Sequence, residues 1–364
     1  MLLISEMKIE GFRCFQSFSM KAMRPVTILG GPNNVGKSSV LEALLLPMVV
    51  STPGYFMWLA NMRNGADSVQ PQPRFVWTPL FNRVSEANTL HVSLTNETGE
   101  ATILQLRKEM GAAAVNRGNL GGRVDNLVAL HLTYEHAEER VEGKYVFVSE
   151  ARRPYDAIES HIAFIPYTEN PPASDDLMNV FYYKEGRDFS NAQVAEWVSQ
   201  ASMQVKQKSQ LLQLLQIFDS GIADIMTVLD TGQPYVYIIK ANGTQLPLRH
   251  MGDGINKAIR LLLAVMHASD GILLIDEVEN GLYYSLYDKV LDALYRAAMQ
   301  LHCQLIITTH NQQILQSSVD VMLNAGMLQQ LSYQRLEQYR DDIRAYAFSG
   351  EDLDLAIQAD LEVR

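Results

Sequence analysis

Eight residues near the start of the chain, Gly31–Ser38 (GPNNVGKS), fit the phosphate-loop pattern GxxxxGK[ST]. The β-branched run 25–30 (PVTILG) predicts a strand before the loop, and 37–46 has the periodicity of a helix. Backbone N–H groups of such a loop surround phosphates at the amino end of a helix, where the helix dipole favours anions. We therefore expect Lys37 to contact the β- and γ-phosphates of a nucleotide and Ser38 to bind Mg²⁺. The other loop residues expected to line this nucleotide site are Asn33, Asn34, Gly36 and Ser39.

A second group of residues suited to chemistry follows the apolar run 272–275 (ILLI), which ends in Asp276 and Glu277. The run predicts a buried strand, and ligands of open α/β sheets bind at the carboxyl ends of the strands. We expect Asp276 to hold Mg²⁺ through water and Glu277 to orient or deprotonate the water that attacks the γ-phosphate. A strand that ends in Asp-Glu is common by itself, so this interpretation depends on the phosphate loop.

Two further segments carry polar residues at the ends of predicted elements. His310 follows the apolar strand 304–309 (QLIITT), where a histidine is usually a turn residue. Here it lies one helix and one strand after the Asp-Glu pair, and we expect it to reach the γ-phosphate. Gly252, Asp253 and Gly254 begin a predicted helix. Alone they predict a flexible helix start, but their spacing before the Asp-Glu strand favours a signature loop that presents a helix amino end to a nucleotide.

The elements that position these residues alternate between strands and helices at both ends of the chain. Strands are predicted at 2–10, 25–30, 89–95, 101–107, 127–134, 144–148, 235–240, 271–276 and 304–309. Helices are predicted at 37–46, 190–229, 254–268 and 282–300. Irregular structure is predicted at 51–75, and a mobile tip at 111–123. The alternation indicates an α/β fold with a parallel, doubly wound central sheet.

The composition excludes several classes of protein. The chain has 364 residues, of which 47% are hydrophobic and 20% charged, as in ordinary globular proteins. Its apolar runs fall short of the roughly 18–20 residues that a membrane span needs, and its first residues lack the basic lead of a signal peptide. We therefore expect a cytoplasmic protein that does not bind membranes. The net charge of −11 means that DNA binding, if it occurs, requires a local basic patch.

These motifs, in this order, resemble the heads of ABC-type ATPases, and most closely the OLD-like, RecF-like and SMC-like branch. The resemblance covers 1–50 and about 225–350. It rests on GFRCF at 11–15, GPNNVGKSS at 31–39, MGDGI at 251–255, LLIDEVENGL at 273–282 and TTHN at 308–311. It implies a P-loop NTPase with an ABC-ATPase head, in which an antiparallel β-subdomain and an inserted helical segment accompany the parallel central sheet. The resulting division is 1–100 for the first half of the head, 101–225 for an inserted β/helical segment, 226–345 for the second half and 346–364 for an acidic tail.

The same resemblance implies ATP and Mg²⁺ as ligands, and a homodimer whose heads close head-to-tail around two nucleotides. Gly252–Gly254 would then act on the γ-phosphate bound to the other subunit, 279–282 would cross between the two sites, and Arg13 would lie near the phosphates. The sequence departs from the family in two places. The signature usually carries a serine where this chain has glycine or aspartate, and 77–82 (WTPLFN), where the family's glutamine loop would fall, contains no glutamine.

The resemblance further implies an ATPase that is the sensor or regulatory subunit of a bacterial anti-phage defence system. A separate nuclease-type effector is expected, because the sequence shows neither a TOPRIM-sized region after the head nor an HNH-like cluster. The alternative is a DNA-binding clamp in repair or recombination, in which ATP controls the grip on DNA. A third possibility is a scaffold that binds ATP without turnover, against which Glu277 argues.

Overall fold

The computed structural model describes residues 4–47, 55–64, 76–82, 88–110, 123–137, 139–150, 159–167, 179–184, 189–230 and 232–361. The strands, in chain order, are β1 (Glu6–Phe12), β2 (Phe15–Met20), β3 (Val26–Gly30), β4 (Thr89–Thr95), β5 (Ala101–Met110), β6 (Arg123–His136), β7 (Glu139–Glu150), β8 (Glu159–Pro166), β9 (Val180–Lys184), β10 (Ile222–Asp230), β11 (Gln233–Lys240), β12 (Gln245–Pro247), β13 (Ile272–Asp276), β14 (Gln304–Thr308), β15 (Leu331–Tyr339) and β16 (Asp342–Ser349). The helices are α1 (Lys37–Leu45), α2 (Tyr55–Asn64), α3 (Asn191–Met203), α4 (Val205–Phe218), α5 (Asp253–His267), α6 (Tyr287–Gln300), α7 (Gln312–Asn324) and α8 (Gly350–Gln358). No helix among these residues is long and apolar enough to cross a lipid bilayer.

The central sheet has six strands in the order β16-β15-β3-β14-β13-β9. All of its neighbours are parallel except β15 and β16, which form an antiparallel hairpin. The strands β3, β14 and β13 are buried along their whole length, which explains why they read as continuous apolar runs. Because parallel strands end at one edge of a sheet, Gly30, Asp276 and Thr308 lie at the same edge.

The second large sheet is antiparallel and has seven strands in the order β2-β1-β4-β5-β6-β7-β8. Its strand β4 alternates between buried and partly exposed residues, as expected when one face packs on a core. A third sheet of three strands has the order β10-β11-β12. The antiparallel sheet therefore takes strands from both sides of residue 100, where the sequence predicted a domain boundary.

Two hydrophobic cores lie on the opposite faces of the parallel sheet. Successive side chains of a strand point to opposite faces. Accordingly, Leu273 and Ile275 join a core with helices α3 to α7, whereas Ile272 and Leu274 join a core with α1 and the antiparallel sheet. The parallel sheet is thus covered by helices on one side and by α1 and strands on the other.

Gln304 connects the parallel sheet to the segment that leads into β1. Its buried side chain accepts a hydrogen bond of 2.9 Å from the Ile4 N–H and donates one of 2.8 Å to the Ile4 carbonyl. A glutamine side chain can satisfy both groups of one peptide residue in this way, as a neighbouring strand would. The first and second halves of the chain are therefore joined at the base of the sheet.

The predicted α/β fold class, with its parallel central sheet and antiparallel β-sheet, is confirmed. The predicted helical region 190–229 is confirmed for 191–203 and 205–218, which form α3 and α4 with a break at the extended residue Gln204, and it is wrong from Ile222 onward, where β10 pairs with β11. The predicted helix 282–300 begins as α6 only at Tyr287, after a short 3₁₀ turn at Tyr284–Leu286. The irregular structure predicted at 51–75 is wrong for Tyr55–Asn64, which form α2, and 51–54 and 65–75 lie outside the described residues, as do 111–122 of the predicted tip.

The segment predicted as an acidic tail contains ordered structure up to residue 361. It completes β16 and then forms α8, whose Leu353 is fully buried. Ser349 caps the helix together with Asp352, and Glu351 and Asp352 occupy its first turn, where the helix dipole favours negative charge. Part of the acidic excess thus reflects a helix amino end rather than a solvated tail.

Candidate functional site

The phosphate loop connects β3 to α1 through a backbone that requires glycine. Gly31 and Gly36 have φ angles of +127° and +103°, and Asn34 has φ +63°. A Cβ atom at Gly36 would lie 2.9 Å from both the Cys14 sulphur and the Phe15 ring. The loop is therefore packed tightly against the turn between β1 and β2. It leads directly into α1, whose first N–H groups have no acceptors within the helix and favour an anion.

Lys37 is folded back over this loop. Its ammonium donates hydrogen bonds of 2.7 Å to the Gly31 carbonyl and 3.0 Å to the Pro32 carbonyl. Burial lowers the pKa of Lys37, although the nearby carboxylates of Glu279, Glu277 and Asp276 act in the opposite direction. Lys37 is thus a buried cation that neutral carbonyl oxygens hold against the loop, which positions it to contact an anion bound there.

Asp276, the last residue of β13, is almost completely buried and accepts four hydrogen bonds. Its Oδ1 accepts from the Ser38 hydroxyl at 3.0 Å and from the Thr308 hydroxyl at 2.8 Å. Its Oδ2 accepts from the Tyr182 hydroxyl at 3.1 Å and from the Lys184 ammonium at 2.7 Å. Burial raises the pKa of this carboxyl, but the hydrogen bonds and the charge of Lys184 outweigh it, so the pKa lies below its usual value. Asp276 is therefore an ionised carboxylate that connects β13 to the phosphate loop.

Glu277 begins the loop that follows β13. Its φ of +54° is rare for a residue with a side chain, and its N–H donates to the Thr308 hydroxyl at 2.8 Å. The Asn280 side-chain amide donates to the Glu277 carboxylate. A backbone held in an unfavourable conformation, and a carboxylate held by a neighbouring amide, are common where a side chain is positioned for chemistry.

His310 is oriented by Glu279 from the same loop. The buried Glu279 carboxylate accepts from the His310 backbone N–H at 2.9 Å, and its Oε1 lies 2.9 Å from the imidazole Nδ1. The imidazole itself is about half exposed. A carboxylate on Nδ1 fixes the ring orientation and leaves Nε2 available for a ligand.

These residues line one cleft of about 1010 Å³ at the carboxyl edge of the parallel sheet. The loop contributes Asn33, Asn34 and Gly36–Ser39, and the facing walls contribute Arg13, Glu277 and His310. The side chain of Arg13 is only 7% exposed, and its guanidinium forms an ion pair of 2.7 Å with Glu42 of α1. The structure thus brings together the predicted residues of the phosphate loop, the Asp-Glu strand and the histidine, with Asp276 behind Ser38.

The predicted signature residues, Gly252–Gly254, lie outside this cleft. Among the described residues they do not line the cleft; they begin α5, with Gly252 as the residue before its first turn. A Cβ atom at Gly254 would lie 2.5 Å from the Leu286 side chain, so α5 packs closely on the turn that follows the Glu277 loop. Lys257 of α5 also donates a hydrogen bond to the Asn280 carbonyl. Within one chain these residues support the loop rather than contact a ligand in the cleft.

Two residues of the site, Lys184 and Asn82, were not predicted from the sequence, and Glu279 and Asn280 were expected only as part of the crossing segment 279–282. Lys184 is the last residue of β9, in register with Asp276 on the neighbouring strand. Asn82 lines the cleft from the segment 77–82, which pairs with the end of β1 through its N–H to the Gly11 carbonyl. The signal for Lys184 was its place as the polar residue that ends the apolar run 180–184 (VFYYK), a run too short to predict a strand by its periodicity.

The phosphate loop, the Ser38–Asp276 contact and the parallel sheet define a P-loop nucleoside-triphosphate-binding head. A family model described as "AAA domain, putative AbiEii toxin, Type IV TA system" matches residues 26–316. The chain belongs to this family of AAA-type ATPase domains.

Two known proteins show further similarity. A protein of Helicobacter pylori named "ATP/GTP phosphatase" is 20% identical over an alignment of 371 positions, which covers 97% of each chain. The solved structure of an Smc head bound to the C-terminal winged-helix domain of ScpA superposes with a TM-score of 0.52 at 12% identity, covering 98% of this chain and 99% of the other. The resemblance to SMC heads is one of fold.

Proposed function

We propose that the protein binds Mg–ATP in this cleft and hydrolyses it. The observation that carries the proposal is the hydrogen bond of 3.0 Å between Ser38 and Asp276, which joins the loop and the carboxylate strand across 238 positions of sequence. Lys37 of the phosphate loop and the carboxylate of Glu277, from distant segments of the sequence, line the same cleft. The family and the name of the relative from Helicobacter pylori support a nucleoside triphosphate as substrate.

The donor set suits Mg²⁺. Ser38 and Asp276 offer a hydroxyl and a carboxylate, which are the hard oxygen ligands that this ion prefers. Among the described residues there is no group of three or more His, Cys, Asp or Glu side chains that could enclose a metal. This fits an ion that keeps water and takes phosphate oxygens as its remaining ligands. The chemistry supplied by bound Mg²⁺ is neutralisation of charge on the β- and γ-phosphates.

Each of these residues has a separate role in the proposed phosphoryl transfer to water. Lys37 binds the β- and γ-phosphates, and Glu277 orients the attacking water and accepts its proton. Asn280 holds the Glu277 carboxylate in place. His310, oriented by Glu279, contacts the γ-phosphate through Nε2. Catalysis of this kind depends on positioning and charge stabilisation, which the hydrogen bonds of the Glu277 loop supply.

We further propose that two copies close head-to-tail on ATP. Gly252–Gly254 lie outside the cleft of their own chain, so they are available to a nucleotide held by a second copy. The backbone N–H groups at the amino end of α5 favour an anion, provided that the Asp253 carboxylate in the first turn faces away from it or meets Mg²⁺. Tyr283 and Tyr284 follow the Glu277 loop as an exposed pair with ring centroids 4.5 Å apart, which is the surface such a closure would bury.

The wider role proposed is that of a regulatory ATPase in bacterial anti-phage defence, acting in the cytoplasm with a separately encoded nuclease-type effector. The toxin and toxin–antitoxin terms in the family description support a defence context. The net charge of −11 favours a protein effector over DNA as the main partner. Plaque assays test this role in a bacterial host that expresses the protein with its genomic neighbours. Protection that Lys37→Ala abolishes is expected, and equal plaque counts with and without the wild-type protein would overturn the role.

Steady-state ATP hydrolysis, with light scattering for mass, tests the biochemical proposal. We expect Mg²⁺-dependent turnover that Lys37→Ala abolishes, and an ATP-bound dimer that accumulates in Glu277→Gln. Lys208→Ala is the matched control, because it breaks an ion pair of 2.9 Å with Asp224 outside the cleft. Turnover that Lys37→Ala leaves intact would overturn the site, and a monomeric Glu277→Gln with bound ATP would overturn the dimer. If duplex DNA accelerates ATP hydrolysis several-fold, the proposed regulatory role would be overturned in favour of a DNA-binding clamp.

A further inference from the structure

Lys184 is a cation placed directly on the carboxylate that is proposed to hold Mg²⁺. It ends β9, in register with Asp276 on the adjacent parallel strand. Its ammonium lies 2.7 Å from Asp276 Oδ2. The Asp276 side chain is 2% exposed, whereas that of Lys184 is 35% exposed and lines the same cleft as Lys37. Lys184 therefore contacts both the buried carboxylate and the space where a ligand binds.

The carboxylate has no remaining position for another partner unless one of its four donors leaves. Each oxygen of Asp276 accepts two hydrogen bonds, which uses the two lone pairs of each oxygen. Thr308 and Tyr182 are buried and fixed by the strands that carry them, and Ser38 has a short side chain fixed in the first turn of α1. Lys184 has a long flexible stem and a partly exposed ammonium, so it is the donor that can move away at the smallest cost.

Charge leads to the same conclusion. A buried carboxylate needs a compensating charge, and Lys184 supplies it when no ligand is bound. A divalent cation and an ammonium repel each other at neighbouring positions on one carboxylate. We propose that Lys184 neutralises Asp276 in the nucleotide-free cleft and transfers to a phosphate oxygen when Mg–nucleotide binds. This inference rests on the proposed function of the cleft.

The consequence is that the metal and the nucleotide bind together. Mg²⁺ by itself must displace the Lys184 ammonium, which then has no anion to contact. When a nucleotide arrives with the metal, its phosphates would accept the displaced ammonium as a second cationic contact in addition to Lys37, which lines the same cleft. The site is therefore expected to bind the metal alone weakly and the metal together with the nucleotide tightly.

The test uses Lys184→Met, which keeps the stem and removes the charge. Binding of ATP in EDTA is measured by calorimetry, and binding of Mn²⁺ alone, as a paramagnetic substitute for Mg²⁺, by electron spin resonance. Relative to wild type, we expect Lys184→Met to bind ATP about tenfold more weakly in EDTA and to bind Mn²⁺ alone about tenfold more tightly, the size of one charged hydrogen bond. Lys184→Arg keeps the charge and should resemble wild type in both measurements.

The opposite directions of the two shifts distinguish this role from a structural one. Loss of packing or folding in Lys184→Met would weaken both ligands, and that result would overturn the inference. Unchanged affinities for both ligands would also overturn it, while ATP binding by wild type would leave the proposed function standing. No ATP binding by wild type would refute the proposed function itself. Lys208→Met, which removes another partly exposed lysine ion pair, should change neither affinity.

Discussion

The contact between Glu279 and His310 allows a quantitative test of the proposed hydrolysis mechanism. Oε1 of Glu279 accepts from the backbone N–H of His310 and contacts its Nδ1, both at 2.9 Å. Glu279→Gln keeps an oxygen acceptor in the same place but removes its charge. We expect the variant to bind ATP normally and to hydrolyse it more slowly, because Glu279 positions His310 and does not line the cleft.

The magnitude follows from the kind of hydrogen bond that changes. A hydrogen bond to a charged acceptor is worth about 1.5–3 kcal/mol, and one to a neutral acceptor about 0.5–1.5 kcal/mol. The imidazole is half exposed, so solvent screens the charge of Glu279. The loss of hydrogen-bond energy in Glu279→Gln is therefore expected to be small, about 1–1.5 kcal/mol. A loss of about 1.4 kcal/mol in the transition state is a factor of ten. We therefore expect kcat to fall about tenfold with KM nearly unchanged.

A double-mutant cycle is the appropriate assay. Steady-state ATP hydrolysis is compared for Glu279→Gln, His310→Ala and the double variant. If Glu279 acts through His310, Glu279→Gln slows hydrolysis much less in the His310→Ala background than in wild type, and the cycle subtracts any separate effect of the Glu279 charge on Lys37. Asp270→Asn, which alters an exposed carboxylate–histidine pair with His302, is the control and should leave kcat unchanged. Fully additive losses would refute the positioning role.

Three other predictions concern stability and access. Gln304→Leu leaves the Ile4 N–H and carbonyl without their partner and should cost about 2–4 kcal/mol in urea unfolding; an unchanged midpoint would contradict this. Ellman's reagent should label Cys14, on the cleft, more slowly with ATP, and Cys303 only after unfolding, because burial raises its pKa to about 12; equal rates would contradict this. Because the pKa of Asp276 is lower in the folded protein than in the unfolded chain, its ionised carboxylate stabilises the fold, and this stabilisation is lost as the pH falls from about 4 through the lowered pKa. Asp276→Asn should therefore lose less Tm than wild type below about pH 4. Curves of Tm against pH that run parallel for the two proteins would contradict this.

The parts of the site that the sequence predicted are those encoded by contiguous residues. The phosphate loop is one local pattern, and the apolar runs of β13 and β14 are buried strands with polar ends. Parallel strands finish at one edge, so the residues after them meet without any knowledge of side-chain positions. This explains why Lys37, Glu277 and His310 could be assigned to one cleft.

The parts that the sequence did not predict depend on pairing and on side-chain direction. Lys184 matters only because β9 lies beside β13, and the short strand β9 gives little periodicity from which to assign it. The role of Glu279 depends on which way its carboxylate turns from the loop, toward His310 rather than toward solvent. The charges near the end of the chain were misinterpreted because composition alone does not distinguish a helix amino end from a tail.

The position of β3 in the parallel sheet has a consequence for how the protein is made. The strand that carries the phosphate loop lies between β14 and β15, which are encoded about 275 and 300 residues later. At ribosomal rates of about 5–20 residues per second, roughly 15–60 s pass between the synthesis of β3 and the synthesis of the strands that pair with its two edges. During that interval an apolar strand with open edges is exposed to pairing with other nascent chains. Chaperone dependence during synthesis, rather than low stability of the finished protein, is therefore expected to limit its yield.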